Sequence, residues 1–377
     1  MQELNIQRYQ PVEAAQGCKV EAAQGCKPEA AQAFVTGTVS TRAGDVQRVS
    51  TKWSRADRIG QIKSRVGAFR MSYTVSPGLY AVGEPGRDSD VFASASYKLS
   101  FDILRRAISG MNAWILVLDT NGINVWCAAG KGTFSTAEMV KQIASSRLGE
   151  VVDHRVIIAP QLGAVGVRAR QVEKLSGFKV RFGPVDAADI PEYVRTGYRK
   201  TEAMRLVKFT LKDRLVLTPM EINPAMKQYP WFAAAILLVA GLQPSGIIFA
   251  DALKGLPLLL LGLMAVFTGA FLTPVLLPFV PFRSFALKGW LMGAIALIPA
   301  ANMLDMAGKN LPYQAASYLF FPMASSYIAL QFTGSTTFTG MSGVKKELKI
   351  GIPVYLASTA AAALLLAASK LIDWRII

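Results

Sequence analysis

Histidine and cysteine are almost missing from this chain. Its 377 residues include one His and three Cys, too few for the His/Cys sets that hold zinc or the Cys-x-x-Cys arrangement that holds an iron–sulfur cluster. The same scarcity excludes a disulfide-stapled scaffold and implies reduced thiols. The N-terminus MQELNIQRYQ lacks an apolar core, so it reads as having no cleavable signal. Residues 1–230 contain no long apolar run, and no stacked-aromatic motif accompanies their basic residues. Nucleic acid is therefore not an expected partner.

What is present is lopsided. Hydrophobic residues make up 52% of the chain, and the excess lies at one end. Five stretches there have the length of membrane spans: Trp231 to Ala250, Leu256 to Val280, Phe285 to Leu304, Leu311 to Phe332, and Ile350 to Ser369. Arg283/Lys288 and Lys345/Lys346/Lys349 make alternate loops basic, whereas Asp251/Lys254 and Asp305/Lys309 are balanced. The positive loops belong in the cytoplasm. The expected placement is thus a multi-pass protein of the cell inner (cytoplasmic) membrane, with residues 1–230 cytoplasmic and the C-terminus outside. The span interiors lack ionisable groups, Lys288 being close enough to an end to snorkel. An anchor or docking platform fits that composition better than a transporter. Net charge is +11 before residue 229 and +5 after it, which makes anionic membrane lipid the nearest partner of the basic half.

Three regions are expected: a mobile N-terminal tail over 1–34, a cytoplasmic α/β domain over 35–225, and a transmembrane domain over 229–377. VEAAQGCK at 12–19 recurs at 20–27 and is followed by PEAAQAF. Cys18 and Cys26 there are either incidental thiols of a disordered segment or a pair for a soft metal ion. Residues 35–95 are rich in Gly, Ser and Arg and weakly patterned, and so read as irregular. WILVLD (114–119) is a buried strand, TNG a hairpin-type turn and INVWC a second extended run. STAE (135–138) is a capping box that opens a helix to about Leu148. RVIIA (155–159) and FKVRF (178–182) read as strands, about Ala164 to Leu175 and Ala187 to Arg195 as helices, and MRLVKF (204–209) and RLVLTP (214–219) as further strands. Alternation of this kind predicts a βαβ-type layered α/β domain.

Ligands of such folds sit at the carboxyl ends of strands. Three loops of small residues fall there: CAAGKGTF (127–134), PQLGAVGV (160–167) and GPVDAADIP (183–191). Small side chains let a backbone approach a large flat ligand. Gly130, Lys131 and Thr133 have the residue types of a phosphate loop without its spacing. Cys127 as a nucleophile would need a base, and His154, at the edge of a strand, is the single candidate. A buried structural cysteine is the plainer reading.

NVWCAAGK (124–131) resembles, residue for residue, the signature of the HgcA-like corrinoid proteins of microbial mercury methylation. The similarity continues through YKLSFDILRRAISGMNAWILVLDTNGINVWCAAGKGTF, VDHRVIIAPQLGA, SGFKVRFGPV and DIP, covering roughly residues 95–222, and the five spans agree with that family's membrane region. The resemblance implies a Rossmann-like corrinoid-binding α/β domain followed by an all-α transmembrane domain of five helices. It implies that Asn124, Val125, Trp126, Cys127, Ala128, Ala129, Gly130 and Lys131 bind a cobalamin-type corrinoid, on a segment the family forms as a cap helix. Cys127 would be the lower axial ligand of cobalt.

A methyl group delivered to an electrophile such as Hg(II) leaves oxidised cobalt behind, which a strong thiolate donor stabilises. The implied activity is a corrinoid-dependent methyltransferase acting on Hg(II). Its implied partners are a ferredoxin-like iron–sulfur protein as reductant and a methyl-donor protein or methyl-folate system. Two alternatives remain: a membrane-anchored corrinoid methyl carrier of one-carbon metabolism with a different acceptor, and a tethered binding protein without chemistry.

Overall fold

The computed structural model describes residues 34–332, 338–339 and 341–376; the repeat with Cys18 and Cys26 lies outside them. The first element is a hairpin of β1 (Val35–Thr41) and β2 (Gly44–Val49). Helix α1 (Arg55–Val66) follows, opened by a reciprocal Ser54/Asp57 capping box. The layered core then alternates strands and helices in chain order: β3 (Gly78–Val82), β4 (Val91–Ala95), α2 (Lys98–Ala107), β5 (Ala113–Leu118), α3 (Val125–Lys131), α4 (Thr136–Ser145), the one-turn α5 (Leu148–Val151), β6 (Val156–Ala159), α6 (Ala169–Ser176), β7 (Lys179–Phe182) and α7 (Ile190–Arg195).

The sheet order is β1-β2-β3-β5-β4-β6-β7. Strands β4, β5, β6 and β7 run parallel, while β3 is antiparallel to β5, so the sheet is mixed. Every residue of β4 and β5 is buried, as expected of strands covered on both faces. Phe101, Leu104 and Ile108 of α2 and its end pack with Ile190 and Tyr193 of α7 on one face. Ala128, Ala129, Met139, Ile143 and Val172 pack on the other. The chain leaves β4 through α2 to β5, then returns past β4 to β6, so the winding reverses between β4 and β6.

Residues 35–95 are not irregular: they hold four strands. The hairpin sits at the sheet edge with alternate residues exposed, so its Thr, Ser and Gly carry no apolar alternation to read. The strands expected at 204–209 and 214–219 are also replaced. A single turn at Ala203–Arg205 leads to α8 (Leu211–Gly241), opened by a Thr210/Asp213 capping box. The Leu- and Val-rich pattern suggested strands, but tertiary packing and the cap decide for helix. Helix α8 contains Pro219, Pro224 and Pro230 and runs unbroken through the boundary expected between 225 and 229. Thr218 Oγ1 donates to the Leu215 carbonyl at 2.9 Å, a carbonyl that Pro219 cannot serve.

A small hairpin of β8 (Leu242–Gln243) and β9 (Gly246–Ile247) precedes α9 (Phe249–Ala252), α10 (Leu256–Phe267), α11 (Thr273–Val275), α12 (Phe285–Met303), α13 (Leu311–Gln331) and α14 (Met341–Asp373). Among the described residues, three segments are long and apolar enough to cross a membrane, by length and composition: Leu253–Val275, Phe285–Met303 and Gly343–Asp373; the stretches expected at Trp231 to Ala250 and Leu311 to Phe332 are not among them. Lys288, in the first turn of α12, does not reach solvent. It is 5% exposed, and its Nζ donates to the carbonyls of Leu277 and Val280. Glu347 of α14 accepts hydrogen bonds from Ser284 Oγ (2.8 Å) and the Ala286 amide (2.9 Å) at the start of α12.

Candidate functional site

The reversal between β4 and β6 opens a crevice at their carboxyl ends, where ligands of α/β sheets bind. A cavity of about 580 Å³ occupies it. Its walls are Phe92, Ala93 and Ser94 of β4, Ile158 to Pro160 at the end of β6, and Gly183 to Ala187 after β7. Helix α2 contributes Ser100, Ile103 and Leu104. Two of the three small-residue loops singled out from sequence therefore do reach the crevice.

Helix α3 forms the rim. The extended run expected over INVWC is instead a turn followed by a helix. Asn121 and Gly122 take positive φ of 53° and 69°, so the turn is real, but Asn124 then caps a helix rather than continuing a strand. Its Oδ1 accepts from the Cys127 amide at 2.9 Å, and Gly132, with φ 80°, closes the other end. The loop ahead of α3 is pinned. Thr120 Oγ1 donates to the Ile123 carbonyl at 2.6 Å, and Ser96 Oγ accepts from the amides of Thr120 and Gly122 at 3.0 and 3.2 Å. The Ser135/Glu138 box is half formed: Ser135 accepts from the Glu138 amide, while the Glu138 carboxylate accepts from the Asp119 amide at 2.9 Å. Glu138 thereby ties α4 to the end of β5.

The eight residues of NVWCAAGK divide by face. Asn124, Val125 and Trp126 line the crevice. Ala128 and Ala129 are buried in the core beneath, and Gly130 and Lys131 are exposed. Cys127 is half-buried and free, and is not among the crevice walls. His154 is not its base: Nδ1 accepts from the Val156 amide at 3.3 Å, which leaves Nε2–H to donate to the Ser89 carbonyl at 2.9 Å. Among the described residues no group of three or more His, Cys, Asp or Glu converges as a metal site.

Sequence reasoning missed two parts of the site. Ala93 and Ser94 lay in a region with no readable period. Leu206, Val207 and Lys208, expected in a strand, and Thr210 and Asp213, expected in the link between two strands, close the crevice from the chain leading into α8; the Thr210-x-x-Asp213 cap was the available signal. Support for α3 comes from the loop after β6. Gly166 lies so close that a Cβ there would stand 2.1 Å from the Phe134 carbonyl oxygen and 3.1 Å from Ala129 Cα.

The strongest electrostatics lie beside the crevice rather than in it. Lys98 Nζ bridges Asp57 and Asp102 at 2.8 Å each, and Arg105, fully buried, meets both carboxylates at 2.9 and 2.8 Å. Burial alone would raise the Asp57 pKa. The hydrogen bonds from Lys98 and the Ser54 amide, with the charges of Lys98 and Arg105, outweigh it and hold the carboxyl well below its usual range. Nearer the crevice, burial and the neighbouring Arg205 lower the pKa of Lys200, whose Nζ donates to Gln161.

Residues 69–194 match the family described as CO dehydrogenase/acetyl-CoA synthase delta subunit (CdhD). The chain is 30% identical over 135 residues to the acetyl-CoA decarbonylase/synthase complex subunit gamma of Archaeoglobus fulgidus, covering 35% of this chain and 28% of that protein. It is 31% identical over 123 residues to the subunit of the same name from Methanopyrus kandleri, covering 32% and 26%. With subunit gamma 1 of Methanosarcina thermophila it shares 32% over 134 residues, covering 34% and 28%. The chain thus spans little more than a quarter of the length of these relatives. The family match contains all of α3 and the whole crevice wall except residues 206–213.

Proposed function

We propose that this chain is a membrane-anchored corrinoid protein that carries a methyl group, with Cys127 as the lower axial ligand. The observation that carries the reading is α3: an Asn-capped helix whose Asn124, Val125 and Trp126 line a crevice that also has Ala93, Ser94, Ala159, Gly183 and Ala187 in its wall, with the half-buried free thiol of Cys127 next along the helix. Small walls accept a flat macrocycle edge, and a thiol with no base beside it suits ligation rather than nucleophilic attack. A corrinoid held there would supply methyl-transfer chemistry at cobalt, with the Cys127 thiolate as this chain's ligand to it. The chain's own contribution is to fix α3 from both ends, through Asn124 and Gly132, and to shield the crevice with residues 206–213.

The relatives' names favour a carrier that serves one-carbon metabolism, with a protein complex as partner. The octapeptide and the C-terminal helices favour the finer reading, methyl transfer to Hg(II) by a corrinoid-dependent methyltransferase. In either case the reductant is a ferredoxin-like iron–sulfur protein, the methyl arrives from a donor protein or methyl-folate system, and residues 35–225 face the cytoplasm. The C-terminus, after five helices in the membrane, lies outside.

The test is anaerobic reconstitution of the full chain with methyl-labelled cobalamin. A cobalt spectrum that Cys127→Ala and Cys127→His both shift supports axial ligation, and unchanged spectra in both refute it. Label recovered on added Hg(II), and strongly reduced in both variants, supports the mercury reading. Label retained by the wild-type chain in the presence of Hg(II) leaves the one-carbon carrier.

A further inference from the structure

We propose that α1 and the turn after it form an interfacial element that lies on the anionic cytoplasmic leaflet and seats the α/β domain on the membrane; the proposal rests on the membrane-anchored reading above. Helix α1 turns Asp57, Gly60 and Ser64 inward. Its outward face carries Ile59, Ile62 and Val66, which are 52%, 64% and 40% exposed. These positions fall on one stripe at helical spacing, an arrangement that ordinarily faces a core. Here the stripe faces away from it, and the turn at Ala68–Met71 prolongs it with exposed Phe69 and Met71. Contiguous exposed apolar surface of this kind marks an interaction site.

Charge selects the occupant. Exposed Arg55, Arg58 and Lys63 flank the stripe, and Lys63 Nζ stands 5.9 Å from the Phe69 ring centroid. The one acid of α1, Asp57, is withdrawn into the pairs with Lys98 and Arg105. An apolar stripe between basic margins is the composition of a helix that lies in an anionic lipid surface.

Position agrees with charge. The Val66 carbonyl accepts from Asn223 Nδ2 of α8, and Arg70 Nη1 lies 3.5 Å from the Met220 sulfur. Trp231, 77% exposed, follows Asn223 on the same helix by about 12 Å, at about 1.5 Å per residue. A tryptophan there marks the boundary between headgroups and acyl chains, which places the C-terminal end of α1 at headgroup depth.

The test uses the full chain in lipid nanodiscs, with Cys18, Cys26 and Cys127 replaced by Ser and a bimane label on Ile62→Cys or, as a membrane control, on Leu260→Cys. Acyl chains brominated near the headgroup quench labels that reach them. In discs rich in phosphatidylglycerol the label at 62 should be quenched at least half as strongly as the label at 260. Combining Arg55→Glu, Arg58→Glu and Lys63→Glu should cut that quenching at least two-fold. Quenching at 260 with none at 62 overturns the proposal and assigns the stripe to a protein partner. No quenching at 260 overturns the membrane reading itself, and the proposal with it.

Discussion

Two glycines within one small structure should respond to the same substitution with opposite signs. Gly166→Ala places a Cβ 2.1 Å from the Phe134 carbonyl oxygen and 3.1 Å from both Ala129 Cα and its carbonyl oxygen. All three neighbours are backbone, so no side chain can swing aside; the loop after β6 must retreat from α3 by about 1 Å. Overpacking of this kind costs about 1–3 kcal/mol. In a domain of this size each kcal/mol is worth roughly 2–4 °C, so the melting temperature should fall by about 2–12 °C. Gly130→Ala meets nothing within 4 Å and lies inside α3. Alanine there relieves a helix penalty of about 0.5–1 kcal/mol and should raise the transition by about 1–4 °C. Thermal unfolding of the detergent-solubilised full chain, without corrinoid, reads both. A second readout is local: with Cys18 and Cys26 replaced by Ser, the alkylation rate of Cys127 should rise in Gly166→Ala, because α3 has lost its support, and fall slightly in Gly130→Ala. Shifts of the same sign in the two variants, or an unchanged rate in Gly166→Ala, would refute the view that the loop after β6 holds α3.

Acid should unfold the α/β domain partly through Asp57. Its folded pKa lies below its ordinary value of 3.8, so its stabilisation is complete above about pH 4 and is lost as the pH falls toward the folded value. Asp57→Asn should destabilise the chain at pH 7, and its deficit against the wild type should shrink below pH 4; urea titrations at pH 7, 4 and 3 measure this. Lys288→Met should cost less than Lys288→Ala, since methionine keeps the packing while both leave the Leu277 and Val280 carbonyls unserved. We expect differences of about 1–3 kcal/mol, read by unfolding in mixed micelles; equal losses would show that packing is irrelevant there. A reporter fused after Ile377 should be active only outside the cytoplasm, and activity inside would mean an even number of crossings.

Strands β5 and β6 were legible because they are short apolar runs with clear stops, and the edge strand β7 because Lys179-Val-Arg-Phe alternates polar and apolar residues. Strand β4 was not, because VFASA mixes Ala and Ser that are buried only through its place between β5 and β6. The thiol and its loop were legible as a site, but their local geometry was ambiguous: Ile-Asn-Val-Trp-Cys alternates like a strand, and only the Asn124 side chain turning back to the Cys127 amide shows where the helix begins. Residues 206–213 were hidden for a different reason. Their Leu, Val and Phe neighbours carry strand propensity that the Thr210/Asp213 cap overrides.

The prolines of α8 make the crevice part of a lever. The same helix that continues toward the spans begins with Asp213 in the crevice wall, eleven residues ahead of Pro224. Proline removes a rung of the hydrogen-bond ladder and concentrates bending where it stands. A 10° bend at Pro224, acting over an arm of about 16 Å, displaces Asp213 by about 3 Å, roughly the thickness of an aromatic or corrin ring plane. The mouth of the crevice is therefore geared to the bend of α8, and on the membrane-anchored reading proposed above, bilayer thickness and lateral pressure would act mechanically on how wide that mouth stands.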